Sequence, residues 1–274
     1  MERRTVFFVS DQTGVTAETM GHSVLTQFDD QLFRQVTLPF VSTVEKAEEA
    51  VRRIDSTAQT EELRPIIFST LVQEELREII KRANGLVLDF FDAFLGPLEL
   101  ELKAKSSRAA GKAHGMQDIG AYTTRINATN FALANDDGAI TRDYERADLI
   151  LVGVSRSGKT PTCLYMALQY GIFAANFPLA DEEFESGQLS QVLITHKRKL
   201  YGLTISPERL HQIRNERKPS SRYASMQQVE YELRTAEGLF RRYGISFIDT
   251  TETSIEEIAS RILDQTGVER RLRP

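Results

Sequence analysis

Gly153-Val154-Ser155-Arg156-Ser157-Gly158-Lys159-Thr160 is the stretch whose residue types and spacing point to the most specific chemistry. It fits G-x-x-x-x-G-K-[ST], the pattern of a loop that cradles phosphate. The glycines let backbone N–H groups converge on phosphate oxygens without Cβ clashes. A helix starting at the loop would point its positive end at the same place. Lys159 supplies a point charge, and the Thr160 hydroxyl can hold Mg²⁺. Gly153, Val154, Ser155, Arg156, Ser157, Gly158, Lys159 and Thr160 are therefore the expected phosphate-binding set. Lys159 is also the expected catalytic cation, and Thr160 the expected metal-binding residue.

Missing motifs narrow the class. No Asn-Lys-x-Asp motif reads a guanine base, which disfavours a GTPase. No apolar strand ending in Asp follows the loop at the usual distance for an ATPase; the nearest is Ile245-Ser-Phe-Ile-Asp249. Small phosphate-loop kinases tolerate that absence and carry an arginine-bearing lid. The segment from His196 to Arg222 has the composition of one. It holds eight basic residues, among them Lys199, Arg214, Arg217 and Arg222, and two acidic ones, a local charge of +6 in a chain of net -5. Arginine suits phosphate because its fork binds bidentately. Arg214 and Arg222 are expected to close over bound phosphates, and the segment between them to be mobile without ligand.

Two further clusters could do acid–base or anion chemistry. Ser10-Asp11-Gln12-Thr13-Gly14 follows a first strand directly, at the ligand-binding edge of a parallel sheet. Asp136 and Asp137 precede Gly138 in a turn and could orient a nucleophile or Mg²⁺. Asp11 and Asp137 are both candidates for the general base, with both clusters expected near the phosphate loop. Cys163 is expected to be a small buried side chain, and the four histidines form no cluster.

The elements that must position these groups alternate in type. Short apolar runs at Thr5–Val9, Val36–Val41, Ile66–Ser69 and Leu86–Phe90 read as strands between helical patterns. A second series begins near Ala147 with Leu149–Val152, Ile172–Asn176, Leu200–Ile205 and Ile245–Ile248 as strands. Capping spacing at Ser42–Glu45 and Ser254–Glu257, and Ser206-Pro207, predict helix starts. Residues 103–120 read as a loop, and no internal repeat is visible. The fold class expected is α/β with mostly parallel sheets. Residues 1–145 form an N-terminal α/β domain, and residues 146–274 a phosphate-loop kinase-like domain with a basic lid.

Composition agrees. Of 274 residues, 41% are hydrophobic and 27% charged, enough apolar material for a sizeable core. One cysteine excludes an intrachain disulfide and fits a reducing cytoplasm. No run approaches a membrane span, and Thr5–Val9 is too short for a signal peptide. A net charge of -5 argues against general nucleic-acid binding.

Several segments resemble the phosphoenolpyruvate synthase regulatory proteins, the pyruvate, phosphate/water dikinase regulatory protein family. They are Ser10-Asp-Gln-Thr-Gly-Val-Thr-Ala-Glu18, Asn135-Asp-Asp-Gly138, Gly153 to Thr162, Ala174-Ala-Asn-Phe-Pro178, Lys199 to Arg209 and Ser221-Arg-Tyr-Ala-Ser225. The resemblance implies a bifunctional enzyme. It would use ADP to phosphorylate a threonine of phosphoenolpyruvate synthase, and inorganic phosphate to remove that group as pyrophosphate. Gly153 to Thr160 would hold the ADP phosphates or inorganic phosphate, with Mg²⁺ expected; Lys199 and the arginine segment would close over them. A phosphate loop commonly presents a γ-phosphate, whereas here the β-phosphoryl would move. The same motifs serve regulators of pyruvate, phosphate dikinase, so that target stays open. So do a small-metabolite kinase, a nucleotide-sensing module without chemistry, and a homodimeric state.

Overall fold

The computed structural model describes residues 3–108, 119–138, 140–219 and 221–272. Most of the expected loop over 103–120, with His114, and Ser220 of the basic segment lie outside them. The chain divides into two compact units, Met1–Gly115 and Met116–Pro274.

The first unit is built on β1 (Arg4–Val9), a short apolar strand buried along nearly all its length. Alternate side chains face opposite ways in a strand, so β1 serves two cores. Phe7 and Val9 enter one, and Val6 and Phe8 the other. Then come α1 (Val15–Leu25), β2 (Phe33–Leu38), α2 (Val44–Glu61), β3 (Ile66–Ser69), α3 (Glu74–Ile80), β4 (Leu86–Asp89) and α4 (Phe90–Leu102). The sheet is parallel throughout, in the order β2-β1-β3-β4.

The second unit holds α5 (Ile119–Ala134), β5 (Leu149–Gly153), α6 (Lys159–Tyr170), β6 (Ala174–Pro178), α7 (Asp181–Ser186) and α8 (Gln191–Thr195). It continues with β7 (Leu200–Thr204), α9 (Pro207–Arg217), α10 (Met226–Tyr243), β8 (Phe247–Asp249) and α11 (Ile255–Thr266). Its sheet is also parallel, ordered β6-β5-β7-β8. Both units thus follow the strand order of flavodoxin-like folds, first strand inside and second strand at the edge. The α/β class with parallel sheets is as expected. The repeated topology is new, because no sequence repeat accompanies it.

Several boundaries move. The sequence division at 145/146 assigns α5 and the Asp136–Gly138 turn to the first domain; the structure assigns them to the second unit. Ala128 and Ala132 of α5 pack with Cys163 and Met166 of α6, which fixes the helix there. β2 ends at Leu38 rather than Val41, because Phe40 turns the chain with φ of 57°. The N-cap of α2 is Thr43, not Ser42; its side chain accepts from the Lys46 N–H. Ser206 and Ser254 cap α9 and α11 as expected. No helix is expected over α4 or α10. Asp89 opens α4 by accepting from the Asp92 N–H, and Ser225 opens α10 by accepting from the Gln228 N–H.

Candidate phosphate-binding site

β5 is wholly buried and delivers its last residue, Gly153, to the C-terminal edge of the second sheet. A Cβ on Gly153 would meet the Leu203 carbonyl oxygen at 2.4 Å, so only glycine lets β5 end this close to β7. The loop closes at Gly158, whose φ of 90° caps the start of α6. Left-handed backbone there costs glycine nothing. Because β6 and β7 flank β5 on opposite sides, the loop opens at the switch point of the sheet, where parallel folds hold ligands. The first unit repeats the geometry: Gly14, with φ of 87°, caps α1 after the β1 strand end. Val15 follows it where Lys159 follows Gly158.

Lys159 is buried and turned into its own loop. Its Nζ donates to Gly153 O at 3.0 Å and Val154 O at 2.8 Å. Burial pushes the ammonium from 10.5 down to about 8; the nearby Asp137 and Asp136 carboxylates oppose that shift, and Arg214 adds to it. Thr160 Oγ1 donates to Asp136 Oδ1 at 2.7 Å, and the same oxygen accepts from Asn176 Nδ2. Asn176 Oδ1 in turn accepts from the Asp137 N–H at 3.0 Å. This buried asparagine on β6 therefore shapes the turn that carries both carboxylates. Asp137 adopts φ of 50°, and its residue stays exposed. Thr160 Oγ1 and Asp136 Oδ1 are hard oxygens of the type Mg²⁺ prefers, bonded here to each other; among the described residues no group of three or more His, Cys, Asp or Glu side chains is placed to hold a metal ion. Ser157 Oγ is buried and has no hydrogen-bond partner among the described residues.

Residues 6–263 match the family described as kinase/pyrophosphorylase. The chain belongs to the kinase/pyrophosphorylase family. Its relatives include a protein of Stutzerimonas stutzeri, 55% identical over 271 residues, covering 99% of this chain and all of the relative. A protein of Ectopseudomonas mendocina is 54% identical over the same shares. One of Alkalilimnicola ehrlichii is 53% identical over 98% of each chain. All three are named as candidate phosphoenolpyruvate synthase regulatory proteins. Membership of the kinase/pyrophosphorylase family supports a kinase-like phosphotransferase role. Among the described residues, no helix is long and apolar enough to cross a membrane.

In this family member the expected site divides. Gly153 to Thr160, Asp136 and Asp137 come together in the second unit. Lys199 does not join them. It precedes β7 and so lies at the N-terminal edge of the sheet, whereas the loop follows β5 at the C-terminal edge. A five-residue parallel strand, about 16 Å long, separates the two ends. Lys199 Nζ instead donates to Tyr144 O at 3.3 Å and Glu145 O at 2.6 Å. Arg214 is also redirected: it is fully buried, paired with Glu232, and donates to the Ser155 carbonyl of the loop. Arg222 remains exposed and opens the short turn Arg222–Ala224. Asp11 belongs to the first unit. Its carboxylate accepts from the Val72 N–H at 3.3 Å, and burial raises its pKa. Cys163 is buried, as expected, and burial pushes its thiol up.

Glu232 escaped the sequence reading, and Asn176 and Tyr223 entered it only within the family-like segments, with no role assigned. A buried polar side chain must find a partner. An asparagine inside the apolar run Ala174–Pro178 was the available signal; nothing local distinguished Glu232.

Proposed function

We propose that this chain is a bifunctional regulator of phosphoenolpyruvate synthase. It phosphorylates a threonine of that enzyme at the expense of ADP, and removes the phosphoryl group with inorganic phosphate. The observation that carries this reading is the convergence of Lys159, the Asp136–Thr160 pair and Asp137 on one loop mouth, in a chain of the kinase/pyrophosphorylase family. The relatives' names supply the target.

In the forward direction the threonine Oγ forms a bond to the β-phosphorus of ADP. The bridging P–O bond breaks and AMP leaves. The threonine proton passes to Asp137, whose carboxylate orients the hydroxyl and accepts the proton late, because a free hydroxyl does not ionise at neutral pH. Lys159 exchanges its two loop carbonyls for phosphate oxygens and neutralises charge as the phosphoryl moves. In the other direction an oxygen of inorganic phosphate attacks the phosphothreonine phosphorus. Pyrophosphate forms, and Asp137 returns a proton to the leaving threonine. Backbone N–H groups from Val154 to Gly158 hold the anion in both directions. Mg²⁺ would be held by Thr160 with Asp136 behind it, and supplies further charge neutralisation when bound. Such a regulator works in the cytoplasm beside its target.

The test uses ADP labelled in the β-phosphate, purified synthase and this protein. Label on a synthase threonine, with AMP formed in equal amount, is the expected result. Label on a small acceptor, or ADP binding without turnover, overturns the reading.

A further inference from the structure

Arg214 of the basic segment and Tyr223, just beyond it, end on one residue of the loop. Arg214 Nη2 donates to Ser155 O at 3.1 Å, and Tyr223 Oη donates to Ser155 Oγ at 3.0 Å. Arg214 is held hard in that position. The same Nη2 donates to Glu232 Oε2 at 2.7 Å, and Nη1 donates to Tyr223 O at 3.0 Å. The guanidinium lies 4.1 Å from the centre of the Tyr223 ring. Gln228 donates to the other Glu232 oxygen at 3.0 Å and keeps that carboxylate in place. An arginine so committed is a strut under the loop.

The geometry of the peptide shows what the strut holds. In a trans peptide the C=O and the following N–H point in opposite directions. With Ser155 O drawn toward Arg214, the Arg156 N–H is turned to the far side. Arg156 itself sits at φ of 76°, a left-handed conformation that an L-residue adopts only when its surroundings impose it. Ser155 and Arg156 occupy the middle of the loop, where successive N–H groups make a concavity for anions.

We propose that Arg214 and Tyr223 form a latch that fixes the Ser155–Arg156 peptide in its anion-receiving orientation. Both are positioning residues for phosphate binding, an inference that rests on the reading that this loop binds ADP and inorganic phosphate. The latch accounts for the inward course of Arg214, a fully buried cation of the basic segment. It also ties the Arg222–Ala224 turn to the loop through Tyr223.

Calorimetric titration of the full chain with inorganic pyrophosphate, and separately with ADP, tests this. Tyr223→Phe keeps the ring and its stacking on Arg214 and removes only the hydroxyl. It should weaken both ligands about fivefold, the equilibrium worth of one hydrogen bond. Ser155→Ala should do the same, and the double variant should be no weaker than either single one, because all three lack the same bond. Arg214→Lys keeps the charge but loses the fork, and should weaken binding further. With selective ¹⁵N-arginine labelling, the Arg156 amide should shift in Tyr223→Phe before any ligand is added. Unchanged affinity in Tyr223→Phe, or multiplying losses in the double variant, overturns the latch. If the wild-type chain binds neither ligand, the loop's role itself fails, and the latch with it.

Discussion

Lys159 carries most of the proposed chemistry, and its environment makes its behaviour measurable. Lys159→Ala should abolish both reactions, a loss of about 10²–10³ comparable to removing a strong transition-state contact. Near-normal rates in either direction would show two separate sites. The pH response follows from burial, which brings the ammonium from 10.5 down to about 8. Phosphate ligands favour the charged form. That form is present below pH 8 and lost above it, so ADP binding should weaken above pH 8 by up to tenfold per unit. Calorimetry in buffers of different ionisation enthalpy should show proton uptake on binding there, absent in Lys159→Met. Folding stability has the opposite slope. Between about 8 and 10.5 the unfolded chain holds a proton that the native chain does not, so this lysine makes stability rise with pH in that window. Asp137→Asn should lower threonine transfer by roughly 10²–10⁴ while sparing ADP affinity. Parallel loss of ADP binding would move Asp137 into the nucleotide site, and wild-type transfer in Asp137→Asn with loss in Asp11→Asn would make Asp11 the base.

At the scale of elements, the basic segment behaves differently from its composition. Charge, Pro219 and paired serines suggest a lid that is loose from Arg214 to Arg222. The structure secures both ends of it. Arg214 on α9 is fully buried, and Ser221 caps the Arg222–Ala224 turn through the Ala224 N–H. Hydrogen exchange without nucleotide should therefore find the amides around Arg214 already protected. ADP should add protection mainly over Gly153 to Thr160. Large ADP-induced protection throughout α9 would restore the mobile lid. Helix caps offer a separate check on the frame. Ser206 Oγ accepts from the Arg209 N–H at 3.2 Å, so Ser206→Ala should cost about 1 kcal/mol in denaturant unfolding.

The whole molecule carries one topology twice, with separate cores. The clusters built on β1 and β3 share no residue with those built on β5 and β7. A ligand stabilises what it binds: at a hundred times its Kd it adds about 2.7 kcal/mol. With ADP at that level, the slowest-exchanging amides of β5 and β7 should gain about that much protection, and those of β1 and β3 none. Equal gains in both sheets would show that the two units unfold as one.

Short-range signals accounted for the strand–loop–helix at Gly153 to Thr160, the α/β alternation, and the caps at Ser206 and Ser254. Each depends on residues within one turn or one strand of each other, so the chain's local order specifies it. The resemblance read from motifs spread along the chain likewise needed no coordinates. The destinations of long side chains did not follow from that order. Lys199 lies near β7 in sequence but at its far end in space, because strand direction is set by pairing with β5. Arg214 reads as a surface cation, and only tertiary packing brings Glu232 of α10 and Ser155 of the loop to it. Asp137 gained its place beside Lys159 through Asn176, a residue on another strand. Contacts between elements distant in sequence decide where a charge ends up, and a count of charges along the chain carries no record of them.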